Sequence, residues 1–197
     1  MDALQFDSLP LALVLWLIVY VADYYLTIYG RRLWLKNAKD YLVFAGSYEL
    51  NPYYQKDIDA DRLLSRRFIF SLSFGIVWLV LMWLSTRYLK IPQVFPAAVG
   101  FLILQEVVII STHIQNVRLF TLAAADGAVQ GQITYARWVG MDGTAWKFAY
   151  WGIVFLVLAL VMGNWFFIGG TVSGLNNFIR FRRRGLRMRQ LPKPVSS

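Results

Sequence analysis

Four stretches of this 197-residue chain are apolar over the length a helix needs to cross a lipid bilayer. A span takes about 20 residues at roughly 1.5 Å rise each. The runs are Pro10 to Tyr29, Phe68 to Leu84, Val94 to Thr112 and Phe148 to Ile168. Asp23 interrupts the first, arginines 66, 67 and 87 bound the second, and Gln105 and Glu106 lie inside the third. The fourth is followed by Gly169-Gly170, where a helix can bend or stop. Tyr24, Tyr25, Tyr29, Trp83, Trp146, Tyr150 and Trp165 gather at the run ends, as an aromatic belt at headgroup level would. Hydrophobic residues make up 58 % and charged residues 16 %, against roughly 45–50 % and about 25 % in soluble domains. A soluble core of this size could not hide that much apolar surface. The expected fold is an all-α integral membrane protein: a four-span bundle over residues 1–179, then a basic, flexible tail over 180–197.

The connections are read as follows. Residues Leu33 to Ala45 place Trp34, Ala38, Tyr41, Leu42 and Ala45 on one face, predicting an interfacial amphipathic helix. Gly46 to Pro52 is a turn-rich break, a candidate re-entrant turn between spans one and two. Asp57, Asp59 and Asp61 then precede a helix start near Leu63 and Leu64, where acids suit the positive helix end. Their spacing is that of a calcium loop, but Arg62 replaces the required Gly and Phe68 the closing Glu, so calcium is rejected. The stretch Asn116 to Trp146 is polar and glycine-punctuated, with Gln132 to Val139 as a short strand or hairpin arm.

The chain has no cysteine and a single histidine, His113, so any metal site rests mainly on carboxylates. The net charge of +9 is uneven. Arg180, Arg182, Arg183, Arg184, Arg187, Arg189 and Lys193 crowd the last stretch without an acid among them. On a tail leaving a membrane helix, such a cluster is expected to contact anionic lipid headgroups rather than nucleic acid. The first residues carry Asp2 and Asp7 and no basic group, unlike a secretory leader, so the first run is expected to be retained as a span. In the four-span reading the basic residues divide almost evenly between the two sides, and orientation rests on the tail alone, which favours a cytoplasmic C-terminus.

Ionisable groups within a span cost a few kcal/mol on insertion scales, so each needs a reason. Asp23 shares a helix face with Tyr20 and Thr27. Glu106 sits mid-span, with His113 two turns further on the same face and Asn116 beyond it. If Glu49 and Asn51 fold back over these groups, Asp23, Thr27, Glu49, Asn51, Glu106, His113 and Asn116 form one candidate intramembrane polar site. Asp23, Glu49, Glu106 and His113 could then hold a divalent metal such as zinc, manganese or iron, or relay protons. In a hydrolytic version one carboxylate acts as general base on a metal-bound water. Against this stands polar glue: the same groups bonding one another to hold the helices in register, at about 0.6 to 2 kcal/mol each. Neither His-Glu-x-x-His, Gly-x-Ser-x-Gly nor a phosphate loop occurs. Ser71-x-x-x-Gly75 and Gly170-x-x-x-Gly174 permit close helix approach, within the chain or between copies.

The order Asp23, Thr27, then Glu49-Leu50-Asn51-Pro52 resembles a family of small uncharacterised prokaryotic membrane proteins that pair an Asp in the first span with a Glu-x-Asn-Pro turn before the second. The resemblance covers about the first third of the chain. It implies a polytopic helical bundle in a prokaryotic cytoplasmic membrane and importance for Asp23, Glu49 and Asn51, but no activity. The functional expectation is a structural or accessory component of a membrane complex, or a homo-oligomer, surrounded by lipid. The alternatives are a metal-dependent intramembrane hydrolase and an oligomeric cation channel or transporter.

Overall fold

A computed structural model describes residues 7–44, 47–125 and 129–190. Of the described residues, 79 % are helical. Its order is α1 (Leu9–Asn37), β1 (Leu42–Phe44), α2 (Pro52–Asp59), α3 (Arg66–Leu89), α4 (Val94–Leu122), β2 (Ile133–Tyr135), α5 (Arg137–Met162) and α6 (Trp165–Gln190). Helices α1, α3, α4 and α5 are long and apolar enough to cross a membrane. The first three contain the runs 10–29, 68–84 and 94–112 and extend past them, because Lys, Arg and Gln continue a helix as readily as Leu does. The fourth run, 148–168, is broken at Gly163 and Asn164, so α5 holds it only to Met162 and Trp165–Ile168 open α6.

Local chemistry sets the helix ends. Pro10 sits in the first turn of α1, where its missing N–H costs nothing. Asn51 caps α2 through its side chain, which accepts from the Tyr53 amide at 3.3 Å, with Pro52 at the first position. Ser65 caps α3 by accepting from the Phe68 amide at 3.0 Å. Lys90 ends α3 in the left-handed region at φ 56°, and Pro92 prevents continuation. Gly163, at φ 61°, ends α5, and Asn164 opens α6 by accepting from the Phe166 amide at 2.9 Å.

Several expectations are overturned here. Leu33–Asn37 belongs to α1 and Leu42–Phe44 is a strand, so no separate amphipathic helix covers 33–45. Residues 45 and 46 lie outside the described residues. Asp57 and Asp59 sit inside α2 instead of leading a helix; Asp57 is buried against Arg62 and Arg67, at 3.3 and 3.6 Å. The short strand or hairpin arm expected over Gln132–Val139 is a strand at Ile133–Tyr135 that pairs parallel with β1, Leu42 opposite Ile133 and Phe44 opposite Tyr135, and Arg137 onward is helix.

The largest correction concerns the end of the chain. The turn at Gly163 reverses direction, and α6 runs back antiparallel to α5 and parallel to α4. Near its start, Gly169 meets Ala97 and Phe101 of α4. Midway Gly174 meets Gly152, and near its end Gly185 lies beside Trp138 and Met141 of α5. Gly169 and Gly170 therefore do not stop a helix; they let α6 lie on α4. Residues 180–190 are helical and packed rather than a flexible tail: Arg182 pairs with Asp142, and Arg189 lies over the Trp138 ring at 5.2 Å. Lys193 and the rest of 191–197 lie outside the described residues. The α6 C-terminus thus lies at the opposite end of the bundle from Ser8 and Ser85, whereas the four-span reading puts the tail on their side.

Packing is densest at the end that holds Ser8 and Ser85. There Ala12, Leu79, Phe95, Val99, Phe155 and Phe166 fill the space between helices. Trp16 lies across Gly75 and donates its indole N–H to the Leu72 carbonyl at 3.1 Å. Gly75, Gly170 and Gly174 all make their close approaches within this chain. Toward the other end the helices part and leave a cavity, over which residues 42–44, 47–58 and 133–140 lie.

Candidate functional site

The cavity has a volume of about 1130 Å³, at the upper limit of the roughly 300–1,000 Å³ usual for small-molecule pockets. Its wall begins at Trp16, Gly75 and Leu102, just above the packed end, and continues to β1, β2 and the Glu49–Tyr54 turn. The apolar packing beneath makes it blind at that end. Asp23, Thr27, Glu49, Asn51, Glu106, His113 and Asn116 all line it. The structure brings every one of these sequence-selected residues to one cavity.

Asp23 and Thr27 are one helical turn apart on α1, and His113 faces them from α4. His113 Nε2 stands 3.1 Å from Asp23 Oδ1 and 2.9 Å from Thr27 Oγ1. The Thr27 hydroxyl donates to the Asp23 carbonyl one turn back, at 2.9 Å. Its lone pairs are then free to accept, which assigns the proton of a neutral ring to Nε2 and the lone pair to Nδ1. His113 Nδ1 is buried without a hydrogen-bond partner, and so is Asp23 Oδ1, whose contact with the ring lacks hydrogen-bond alignment.

Glu106 projects from the same helix as His113. It is buried, with Oε2 unpartnered and Oε1 3.5 Å from the neighbouring Gln105 amide. Gln105 is itself held by α6, accepting from Asn177 Nδ2 at 2.8 Å and from Ser173 Oγ at 3.3 Å. Glu49 comes from the turn above: its Oε1 accepts from the Asn51 amide at 2.5 Å, an Asx-like closure that fixes the turn. Burial pushes the Glu49 carboxyl up to about 7; nearby Asp23 raises it further, while the Asn51 amide, His113 and Arg137 act the other way. A carboxyl poised there can take or give a proton at neutral pH.

Sequence reasoning missed the opposite wall. Lys147 of α5, Arg180 and Arg184 of α6, and Arg137 at the start of α5 also line the cavity. Arg137 donates to Gln55 Oε1 at 3.1 Å, and Lys147 reaches the Thr112 hydroxyl at 3.4 Å. A signal existed. Lys147 lies ten residues into a long apolar helix, where a cation demands a reason as much as Asp23 does. Also missed was the Tyr20–Tyr54 hydroxyl pair, 2.5 Å apart, which ties α1 to α2 at the cavity wall.

Among the described residues, no three His, Asp or Glu side chains gather closely enough to hold a metal ion. Asp23 and His113 are in contact, whereas Glu49 and Glu106 approach from separate directions. What the arrangement offers chemically is an Asp–His contact, a carboxyl near neutrality on the turn above, and basic side chains on the wall formed by α5 and α6. No family model, curated protein or solved structure matches the chain.

Proposed function

We propose that this chain is an integral membrane protein with five membrane-crossing helices, whose blind cavity binds a small amphiphilic molecule and exchanges protons with it through Asp23 and His113. The membrane reading is supported by four long apolar helices and by what they turn outward: Ile18, Phe70, Phe74, Ile153, Leu160 and Val161 are all exposed. Helix α6 is the fifth crossing, carried through by α4 and α5. Its return also resolves the charge balance. Among the described residues only Arg87 and Lys90 are basic at the end that holds Ser8 and Ser85; the remaining Lys and Arg lie in the other half. The positive-inside rule then puts the cavity mouth and the α6 C-terminus in the cytoplasm and Ser8 outside.

The observation that carries the binding reading is the lack of mutual satisfaction. Groups that serve only as interhelical glue bond one another. Here Asp23 Oδ1, Glu106 Oε2 and His113 Nδ1 have no hydrogen-bond partner and border a cavity large enough for a ligand. Blindness argues against a through-path for ions. The Asp23–His113 contact favours a catalytic version of the same pocket, in which Nδ1 serves as general base. Asp23 and the Glu49–Pro52 turn both line the cavity.

The test is native mass spectrometry of the detergent-extracted protein, beside a Gly143→Trp variant. Gly143 lines the cavity and has open space where a side chain would go. The native protein should retain a small molecule that the folded variant does not. Ligand retention unaffected by the Trp, or none in either protein, would overturn the binding reading.

A further inference from the structure

We infer that the ligand of this cavity carries a phosphate group, held by Lys147, Arg180 and Arg184 with Arg137 at the rim, while its apolar part lies toward Trp16, Leu102 and Phe148. The inference rests on the cavity being a binding site and names the class of molecule it takes.

Charge is separated across the cavity. Asp23 and Glu106 stand on α1 and α4, and Glu49 on the turn above; the cations stand on α5 and α6. Elsewhere five arginines have carboxylate partners: Arg31 with Asp59, Arg32 with Asp61, Arg62 and Arg67 with Asp57, and Arg182 with Asp142. None of the four cavity cations has a carboxylate within ion-pair distance among the described residues. Lys147 and Arg180 each lie ten residues from the basic end of their helix, roughly 15 Å in at 1.5 Å per residue. Such a depth exceeds what tail arginines need to reach lipid headgroups, and unpaired cations there carry a desolvation cost that an anion in the cavity removes.

The composition of the wall narrows the anion. Guanidinium groups bind phosphate through paired, planar hydrogen bonds and an ammonium adds a point charge, so two or three arginines with a lysine match a doubly charged phosphate better than a single carboxylate. Below the cations Phe148, Leu102 and Trp16 supply apolar wall, with Glu106, Gln105, Tyr20 and Ser71 lining it beside them. The shape is that of a charged head above an apolar chain. Inorganic phosphate shares the head-group chemistry, and the experiment separates the two sources.

The purified full-length protein, in a neutral maltoside detergent, would be titrated with dodecyl phosphate, inorganic phosphate and dodecyltrimethylammonium, following its thermal melting point. Dodecyl phosphate should raise the melting point saturably, and the cationic amphiphile should not. Lys147→Gln and Arg184→Gln should each weaken the apparent affinity at least about tenfold. Arg183→Gln and Arg187→Gln, on the same helix but outside the cavity wall, should change it less than about twofold. A response to inorganic phosphate with the same variant pattern assigns the site to the free anion. Equal effects of all four variants would place the phosphate on the outer basic surface and overturn the inference, as would equal binding of the cationic amphiphile. If Gly143→Trp still blocks a neutral amphiphile while no phosphate binds, the pocket stands and its ligand class falls; if Gly143→Trp changes nothing, both fall.

Discussion

Asp23 of α1 and His113 of α4 meet through Oδ1 and Nε2 at 3.1 Å, with the Thr27 hydroxyl bracing the same ring nitrogen at 2.9 Å. Two helices far apart in sequence thus share one acid–base unit, and its second ring nitrogen stays without a partner. A pair poised in this way has a stability signature different from that of a structural bond.

Asp23→Asn keeps the shape and one acceptor while removing the charge. Because Asp23 Oδ1 has no hydrogen-bond partner, the melting point should be nearly unchanged, while proton exchange with the ligand is lost. Thermal melting in detergent checks the first part. A loss of about 0.6 to 2 kcal/mol, the range for an interhelical polar contact, would restore the glue reading.

Glu49 predicts a pH dependence with a definite sign. Its carboxyl is raised to about 7 in the folded chain from an ordinary value near about 4.3. Between those values the folded state binds more protons than the unfolded, so stability falls as pH rises. The contribution is fully present below about pH 4 and is lost as pH rises through about 7, by up to about 3 kcal/mol. Melting points across that window should fall for the native protein and flatten for Glu49→Gln. Parallel profiles would contradict the assignment.

Gly100→Ala and Gly169→Ala test the contact that brings α6 against α4. A Cβ on Gly100 would overlap the Phe166 carbonyl, and one on Gly169 the Ala97 carbonyl, both backbone atoms unable to step aside. Each should destabilise by about 2 kcal/mol or more. Gly143→Ala, with open space around it, should change the melting point little. Similar losses for all three would argue against the packing.

Topology follows from the return of α6. Because the native chain has no cysteine, single Ser8→Cys, Ser85→Cys and Arg187→Cys variants can be labelled with an impermeant maleimide on intact and opened cells. The first two should react from outside and the third only after opening. Labelling of all three from one side would remove the fifth crossing.

The long apolar helices were legible because hydropathy and length suffice to find them. Their ends were not, since Leu33–Asn37 and Arg137–Lys147 carry polar residues that a helix tolerates. Helix α6 escaped because Asn176, Asn177 and its arginines dilute its hydropathy; its helical signal was the run of glycines and the basic stretch, read separately as a stop and a tail. Within the site, Asp23 with Thr27, and Glu106 with His113, were each placed on a face by spacing. Only tertiary contact could bring α1 to α4. The cations of α5 and α6 were hidden by a different habit: Arg180 and Arg184 were counted with the tail and Lys147 with a loop.

The tight turn at Gly163 also bears on how such a chain is made. On the proposed orientation, α5 and α6 have both outer ends in the cytoplasm, and only the Gly163–Asn164 bend reaches the far side. Helix α6 is too polar to be recognised by the insertion machinery alone, but as the second arm of a hairpin it can follow α5 in without any arginine of its C-terminal half being exported. On that orientation, synthesis halted within α6 would leave α5 with its Gly152 face bare in lipid, so the two helices would have to enter the bilayer together.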